Sequence, residues 1–146
     1  MGIRYKIDRH TRFLRVRNKK AMSVKNYRDL DVNIKLSIGK EASDLPGTFG
    51  RGTVSLLQGV AKRGSLNQAA KAMNMAYSKA WRLVKEAEGH VGLDLIDRHG
   101  AHGSSLTPDG LKLLNAYLQI EQEASALASE RFIEIMEDYE KEETED

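Results

Sequence analysis

The chain has 146 residues, of which 40% are hydrophobic and 30% are charged, a composition typical of one globular domain with a modest core. It contains no cysteine, which excludes disulfides and zinc–thiolate sites, and no apolar run of the length that a membrane span or a signal peptide requires. We therefore expect a cytoplasmic protein that does not enter a membrane, and the formal net charge of +2 by itself indicates no partner.

The charge is concentrated at the two ends of the chain. In the N-terminal arm, residues 1–30, basic side chains outnumber acidic ones, whereas from Glu121 onward acidic side chains dominate and the chain ends in an acidic tail, residues 141–146. This distribution is typical of a nucleic-acid-binding protein whose far end is kept off the phosphates. The alternative is that the two oppositely charged ends pair with each other. Within the arm, the segment from Phe13 to Val16 predicts a short strand.

A domain covering residues 31–107 is expected next. Apolar and polar residues alternate from Val32 to Ile38, which predicts a half-buried strand. A loop over Gly39–Pro46 then leads to a short returning strand over Gly47–Phe49. The glycines on either side of Arg51 predict a hinge into a helix from about Thr53 to Lys62, which Gly64 terminates. The residues expected on the inner face of this helix are Val54, Leu56, Leu57, Val60 and Ala61.

The stretch from Gly64 to Gly89 predicts two helices joined by a tight turn. Ser65 is a good N-cap, and Gln68 three residues later completes a capping-box pattern. The small pair Ala69–Ala70 allows two helices to cross closely, and Asn74 tolerates the left-handed conformation that a sharp turn needs. A second, longer helix should start near Ala76. Its expected inner face consists of Tyr77, Ala80, Trp81, Val84, Ala87 and Val91, and its expected outer face of Ser78, Lys79, Arg82 and Lys85.

This pattern is that of a helix-turn-helix, in which the second helix presents a polar, basic face to the major groove of DNA. Lys79 and Arg82 would reach into the groove, and the fork of Arg82 is suited to a bidentate bond with guanine. An ordinary helical hairpin with a solvated basic face is the alternative. Together with the start of the first helix and the segment that follows, the candidate DNA-binding residues are Ser65, Asn67, Tyr77, Ser78, Lys79, Arg82, Lys85, Arg98, His99 and His102.

A β-hairpin is predicted after the second helix. Its strands are Leu93–Asp97 and Ser104–Leu106, and the partly basic loop between them carries side chains able to touch the DNA backbone or the minor groove. Histidines near Asp94 and Asp97 also permit a metal site, but exposed histidines on a wing explain them equally, and we predict no metal. The sequence shows no activated nucleophile and no phosphate-binding glycine loop, so we predict neither an enzyme nor a cofactor.

A long helix is predicted from Pro108 to about Tyr139, within a C-terminal segment of residues 108–140. Thr107 is its N-cap, and proline suits the first helical position. The apolar stripe of this helix continues beyond the length that one small domain covers, so a second copy of the chain is expected to cover the rest. The alternative is a helix folded back onto its own domain. The candidate dimer residues are Leu118, Ala124, Leu127, Phe132 and Ile135.

The stretch from Asn33 to about Gln122 resembles the DNA-binding domain of ModE-type molybdate-responsive transcription regulators, which belong to the broader LysR-like winged-helix group. The resemblance implies a homodimer whose winged helices bind a palindromic operator, with the long helix and the N-terminal strand joining the subunits. Ala76, Ser78 and a shorter wing loop depart from the family pattern, which bears on base preference rather than on the fold. The matching segments are Phe49–Gly52, Leu56–Leu57, Gly64–Ala70, Met75–Trp81, Leu83–Val84 and Leu106–Gly110.

Full-length relatives of the ModE type carry C-terminal molybdate-binding domains, and we expect none here after the long helix. We therefore expect that molybdate does not change DNA affinity, and no effector can be named. The predicted fold is mainly α with little β structure: a winged helix-turn-helix with an N-terminal strand or hairpin, a wing hairpin and a long C-terminal dimerisation helix. The predicted function is homodimeric, sequence-specific regulation of transcription. The alternative is a winged-helix module that binds proteins and not specific DNA.

Overall fold

The computed structural model describes residues 5–7, 14–16, 27–40 and 48–145, the first two segments by their backbone alone. The helices are α1 (Arg51–Arg63), α2 (Leu66–Ala72), α3 (Tyr77–Val91) and α4 (Pro108–Thr144). The strands are β1 (Tyr5–Ile7), β2 (Leu14–Val16), β3 (Ile96–Arg98) and β4 (Ser104–Leu106), and short 3-10 turns lie at Tyr27–Asp29 and Gly100–His102. The chain divides into two units, one of residues 33–126 and one of residues 1–32 and 127–146.

Helix α1 supplies a large part of the core of the 33–126 unit. Val54, Leu56, Leu57 and Val60 recur at helical spacing and are at most 1% exposed. Complete burial of such a side chain stabilises the folded state by about 1.5–3 kcal/mol relative to leaving it exposed to water. The predicted helix and its termination at Gly64, which has φ 79°, are confirmed. The inward placement of Ala61 is wrong, because the last turn of α1, residues 61–63, is exposed. The rest of the core consists of Phe49, Leu66, Ala69, Ala70, Ala80, Val84, Ala87, Leu95, Ile96, Leu114 and Tyr117.

Residues 32–38 do not form the predicted strand. The predicted alternation of burial is present, since Val32, Ile34, Leu36 and Ile38 are half-buried between exposed neighbours. A ladder does not form within the described residues, because only Ile38 pairs with a partner, Phe49, through hydrogen bonds of 2.9 and 3.0 Å. The predicted returning strand is therefore a single bridge, and residues 41–47 of the predicted loop and strand lie outside the described residues.

The side chain of Tyr117, on α4, contacts the segment of residues 32–38 and Phe49. Its hydroxyl donates a hydrogen bond of 3.0 Å to the carbonyl of Leu36, and its ring meets Phe49 edge-on at 5.8 Å. Burial raises the pKa of Tyr117, the Glu121 carboxylate raises it further, and Arg51 opposes the shift. Arg51 also forms an ion pair of 3.0 Å with Glu121, which joins the start of α1 to α4.

The helix-turn-helix is built from α2, a tight turn and α3. Asn74 occupies the left-handed region with φ 51°, as predicted for the turn. The close approach that the small residues permit lies between α1 and α2: a Cβ placed on Gly59 would stand 2.6 Å from the Cβ of Ala69. Met73 and Met75 are half-buried against the core, where they fill the corner between the helices.

Strands β3 and β4 form the predicted wing hairpin, with Asp97 opposite Ser105. β4 coincides with its predicted range, whereas β3 begins at Ile96 and reaches Arg98, later than predicted. The reason lies at Leu95, whose carbonyl still accepts from the N–H of Thr107 opposite it but whose N–H donates to the Glu88 carboxylate, so this pair makes only one of its two possible ladder bonds. Leu93, at the predicted start of the strand, is 40% exposed.

The start of α4 is capped as predicted. The hydroxyl of Thr107 accepts a hydrogen bond of 2.9 Å from the N–H of Gly110 and donates one of 2.6 Å to the carbonyl of Asp94. α4 continues to Thr144, beyond the end predicted near Tyr139, so the first residues of the predicted acidic tail are helical. Within the described residues, no helix combines the length and the apolarity needed to cross a membrane.

In the unit of residues 1–32 and 127–146, β1 and β2 form an antiparallel hairpin, with Lys6 opposite Arg15. β2 confirms the strand predicted near the end of Phe13–Val16, whereas Phe13 and most of the basic arm lie outside the described residues. Tyr27 is 2% exposed and its hydroxyl donates to the Glu140 carboxylate at 2.8 Å. Arg28 lies 3.0 Å from Glu137, so the last part of the arm does pair with the acidic end of the chain.

Candidate nucleic-acid interface

The first turns of α2 and α3 and the wing surround one open cleft of about 530 Å³. Four of the predicted DNA-binding residues line it: Ser65 and Asn67 from the start of α2, Tyr77 from the start of α3, and Arg98 from β3. The remaining lining comes from the wing residues Gly100, Ala101, Gly103 and Ser104. The structure therefore brings together four predicted residues that are up to 33 positions apart in the sequence, Ser65 to Arg98.

Backbone contacts fix the wing against the helix-turn-helix. The N–H of Ser104 donates a hydrogen bond of 2.9 Å to the carbonyl of Gly64, in the loop between α1 and α2. Gly103 has φ 91°, and a Cβ there would run into that same carbonyl, so the close approach requires glycine. Ser65 caps α2 by accepting a hydrogen bond of 3.1 Å from the N–H of Gln68, which confirms the predicted cap.

Cationic and aromatic side chains connect α3 to the wing. The guanidinium carbon of Arg98 lies 3.4 Å from the centre of the Trp81 ring, and its Nη2 donates to the hydroxyl of Tyr77 at 3.1 Å. Lys85 lies against the same ring, with Nζ 4.6 Å from its centre. Trp81 is half-buried, in line with its predicted inner position. The inward placement of Tyr77 is wrong: it is 45% exposed, because the first residue of α3 faces the open cleft.

Glu88 is a buried carboxylate that sequence reasoning missed. It is 8% exposed, its Oε1 accepts the N–H of Leu95 at 3.0 Å, and its Oε2 accepts Nζ of Lys85 at 2.7 Å. An acidic residue in a helix is ordinarily expected at the surface. The available signal was its position next to Ala87 on the inner face, together with Lys85 three residues earlier. Lys85, predicted as a DNA contact, is thus held by a partner within the chain.

The outer face of α3 carries the remaining predicted base-reading residues. Ser78, Lys79 and Arg82 are all exposed, as predicted. Arg82 is paired with Glu86 only loosely, at 3.9 Å, and both side chains are largely in solvent. Among the described residues, no carboxylate oxygen lies within 4.0 Å of Lys79. An exposed ion pair of this kind contributes at most about 1 kcal/mol, so Arg82 can exchange its partner readily.

Hydrogen bonds within the hairpin hold the loop of the wing. Residues Gly100–His102 form a 3-10 turn, and the backbone N–H of His99 donates to the carbonyl of Gly103 at 2.9 Å. Nε2 of His99 lies 2.7 Å from the hydroxyl of Ser105 across the hairpin. His102 is exposed in the turn. Within the part of the chain that the structure describes, no three His, Cys, Asp or Glu side chains form a cluster able to hold a metal.

The predicted dimer residues differ in their surroundings along α4. Leu118 is partly buried against the core of the 33–126 unit, so it serves that core. Ala124 and Phe132 are half-buried. Leu127 and Ile135 are exposed, to 65% and 40%, and these two remain available for a partner within the described structure.

Comparison with known proteins places the cleft within a recognised domain. Residues 53–111, from the first turn of α1 to the first turn of α4, match the family model described as bacterial regulatory helix-turn-helix protein, lysR family. A solved structure described as the crystal structure of a CbnR_DBD–DNA complex is 24% identical over 54% of this chain and 88% of that chain, with a TM-score of 0.46. A comparison with curated protein sequences gives no match. Residues 53–111 are therefore similar to the helix-turn-helix segment of that family, and this stretch covers α1 from Thr53, α2, α3 and the wing.

Proposed function

We propose that this protein is a transcription regulator that binds a specific sequence of double-stranded DNA through the cleft and the outer face of α3. The observation that carries the proposal is the convergence of two helix N-termini and the wing on one open surface. Two cations of that surface, Lys79 and Arg98, have no carboxylate oxygen within 4.0 Å among the described residues. The match of residues 53–111 to lysR-family helix-turn-helix proteins supports the same role.

The proposed binding mode assigns different tasks to α3 and to the cleft. Side chains on the exposed face of α3, Ser78, Lys79 and Arg82, enter the major groove and contact base edges. The first N–H groups of a helix lack partners within the helix, so the starts of α2 and α3 can donate to phosphate oxygens together with Arg98. Phosphate contacts fix the orientation of α3, and base contacts supply the specificity.

A homodimer completes the proposal. Leu127, Ile135 and Tyr139 expose apolar surface along the second half of α4, and a second copy of the chain would bury it. Two copies related by a two-fold axis present two recognition helices and therefore favour a palindromic operator. The resemblance of the sequence to ModE-type regulators also implies a dimer. That resemblance is most specific in the turn and the start of α3, at Met75–Trp81.

Selection from a pool of random DNA duplexes tests the proposal. The expected outcome is one enriched motif made of two inverted half-sites, whose centres lie about 10 base pairs or a multiple of that distance apart. Arg82→Ala should relax the preference at one position of each half-site and weaken binding to the selected site by about 1–3 kcal/mol. Lys112→Ala removes an exposed cation that lies 3.8 Å from Asp109 near the start of α4, away from the cleft and from the proposed dimer surface, and serves as the control, with an unchanged motif.

Four outcomes would contradict the proposal or parts of it. Binding to DNA without an enriched motif would contradict sequence specificity. An enriched single half-site would contradict the dimer. Equal losses for Arg82→Ala on selected and random DNA would show that Arg82 contacts only phosphate. No binding at moderate salt would favour the alternative, a module that binds proteins.

A further inference from the structure

The indole of Trp81 holds the guanidinium of Arg98 in a fixed place at the cleft. Trp81 lies on α3 and Arg98 on β3, and the guanidinium stacks at 3.4 Å from the ring centre, a short distance for a cation–π contact. The hydroxyl of Tyr77 accepts a hydrogen bond from the same guanidinium. Arg98 is therefore held by one aromatic face and one neutral hydroxyl, and it reaches the cleft together with Ser65 and Asn67.

Arg98 differs from Lys85 and Arg82, two other cations near the recognition face, in what neutralises its charge. Lys85 forms a 2.7 Å ion pair with the buried Glu88, and Arg82 has Glu86 at 3.9 Å. No carboxylate oxygen of the described residues lies within 4.0 Å of Arg98. Neither of its contacts cancels its charge, so the full attraction for an anion remains. Arg98 is exposed and can meet a DNA phosphate without losing an acidic partner.

Because Arg98 is already held in place, it should bind a phosphate at a lower cost in entropy. A free arginine side chain loses much rotamer freedom when it binds a phosphate, whereas a stacked one has lost most of it already. We propose that Trp81 is a positioning residue for DNA binding, which holds Arg98 so that its guanidinium fork meets a backbone phosphate between α3 and the wing. This inference rests on the proposed function, because it requires that the cleft binds DNA.

A double-mutant cycle on the full chain tests the role of Trp81. Affinity for one duplex is measured at several salt concentrations for wild type, Trp81→Leu, Arg98→Ala and the double variant. Arg98→Ala should weaken binding about tenfold and reduce the slope of log affinity against log salt by about 1. Trp81→Leu should weaken binding about two- to fivefold, but should have almost no further effect in the Arg98→Ala background.

A matched cycle with Arg82 separates positioning from general damage to the fold. Arg82 lies on the same helix without a cation–π contact to Trp81, so Trp81→Leu and Arg82→Ala should act additively on affinity. If Trp81→Leu weakens binding equally with and without Arg98, the indole acts only through the stability of α3 and the proposal is overturned. If wild type does not bind DNA at all, the proposed function itself has failed.

Two further variants keep the test decisive if Trp81→Leu unfolds. Trp81→Phe keeps an aromatic face and should retain most of the affinity, whereas Arg98→Lys keeps the charge and should preserve the salt slope but lose several-fold in affinity. Trp81 is the single tryptophan of the chain, so its fluorescence reports directly on the stack. DNA should change the emission of wild type but not of Arg98→Ala. An identical change in both would contradict the stacked geometry.

Discussion

At the scale of single residues, the least expected feature is the carboxylate of Glu88. It joins the end of α3 to the start of the wing, since one oxygen accepts the N–H of Leu95 and the other accepts Nζ of Lys85. A buried carboxylate without partners would be costly, but both of its oxygens are bonded here. The position of the wing relative to α3 therefore depends on a charged group in the interior.

Replacement of Glu88 measures the strength of this link. Glu88→Ala leaves the buried N–H of Leu95 without an acceptor and should lower the free energy of unfolding by about 1–3 kcal/mol. Glu88→Gln keeps one acceptor oxygen and should lose less. Urea unfolding supplies the values, with Glu86→Ala as the control, because that exposed carboxylate should change stability by less than about 0.5 kcal/mol. Equal values for Glu88→Ala and Glu86→Ala would show that the link does not stabilise the fold.

The roles of residues that bond to the backbone of their immediate neighbours could be predicted from the sequence. The cap at Ser65, the left-handed turn at Asn74, the stop at Gly64 and the cap at Thr107 all depend on backbone groups within a few positions. The partners of Trp81 and of Glu88 could not be predicted in the same way. They depend on where β3 lies against α3, which only the packed domain determines.

At the scale of elements, the packing of α1 against α2 depends on the absence of one side chain. Gly59 lies in the middle of α1, where glycine ordinarily weakens a helix by roughly 0.5–1 kcal/mol relative to alanine. Its value here is steric, because a Cβ would stand 2.6 Å from that of Ala69. Such a distance is too short for two carbon atoms without a shift of one helix.

A pair of glycine substitutions in α1 separates helix propensity from packing. Gly52→Ala has open space around the added Cβ and should raise the free energy of unfolding by about 0.4–1 kcal/mol. Gly59→Ala gains the same propensity but must push α2 aside, and should lower that free energy by about 1–3 kcal/mol. Thermal unfolding of both variants gives the comparison. If both variants raise the free energy of unfolding, α1 and α2 can move apart at Gly59 without loss of stability.

The elements differ in how well the sequence predicts them. Helices α1, α2 and α3 follow from local periodicity and caps, because their hydrogen bonds lie within each segment. The segment from Val32 to Ile38 shows the limit: its alternation of burial was predicted, but a strand also needs a partner, and only Ile38 has one among the described residues. The later start of β3 also depends on a partner distant in the sequence, since the N–H of Leu95 donates to Glu88 and therefore does not bond to Thr107 across the hairpin.

At the scale of the whole molecule, the central claim is that DNA binds where α2, α3 and the wing converge. The cleft was partly predictable, since Ser65, Asn67 and Tyr77 were named with the predicted helix-turn-helix and Arg98 with the predicted wing hairpin. Their convergence on one cleft required the packed structure. The backbone offers a direct way to observe binding, because the first N–H groups of a helix have no partner inside it and exchange with solvent readily.

Amide hydrogen exchange of the full chain, with and without a bound duplex, tests this claim most directly. The account predicts new protection at the first turn of α2 near Asn67, at the first turn of α3 near Ser78, and along the wing at residues 98–105. The acidic end of α4, residues 137–144, should show no protection from DNA, because its carboxylates repel phosphate. Protection of that end, or of the exposed last turn of α1 with none at α3 and the wing, would contradict the account.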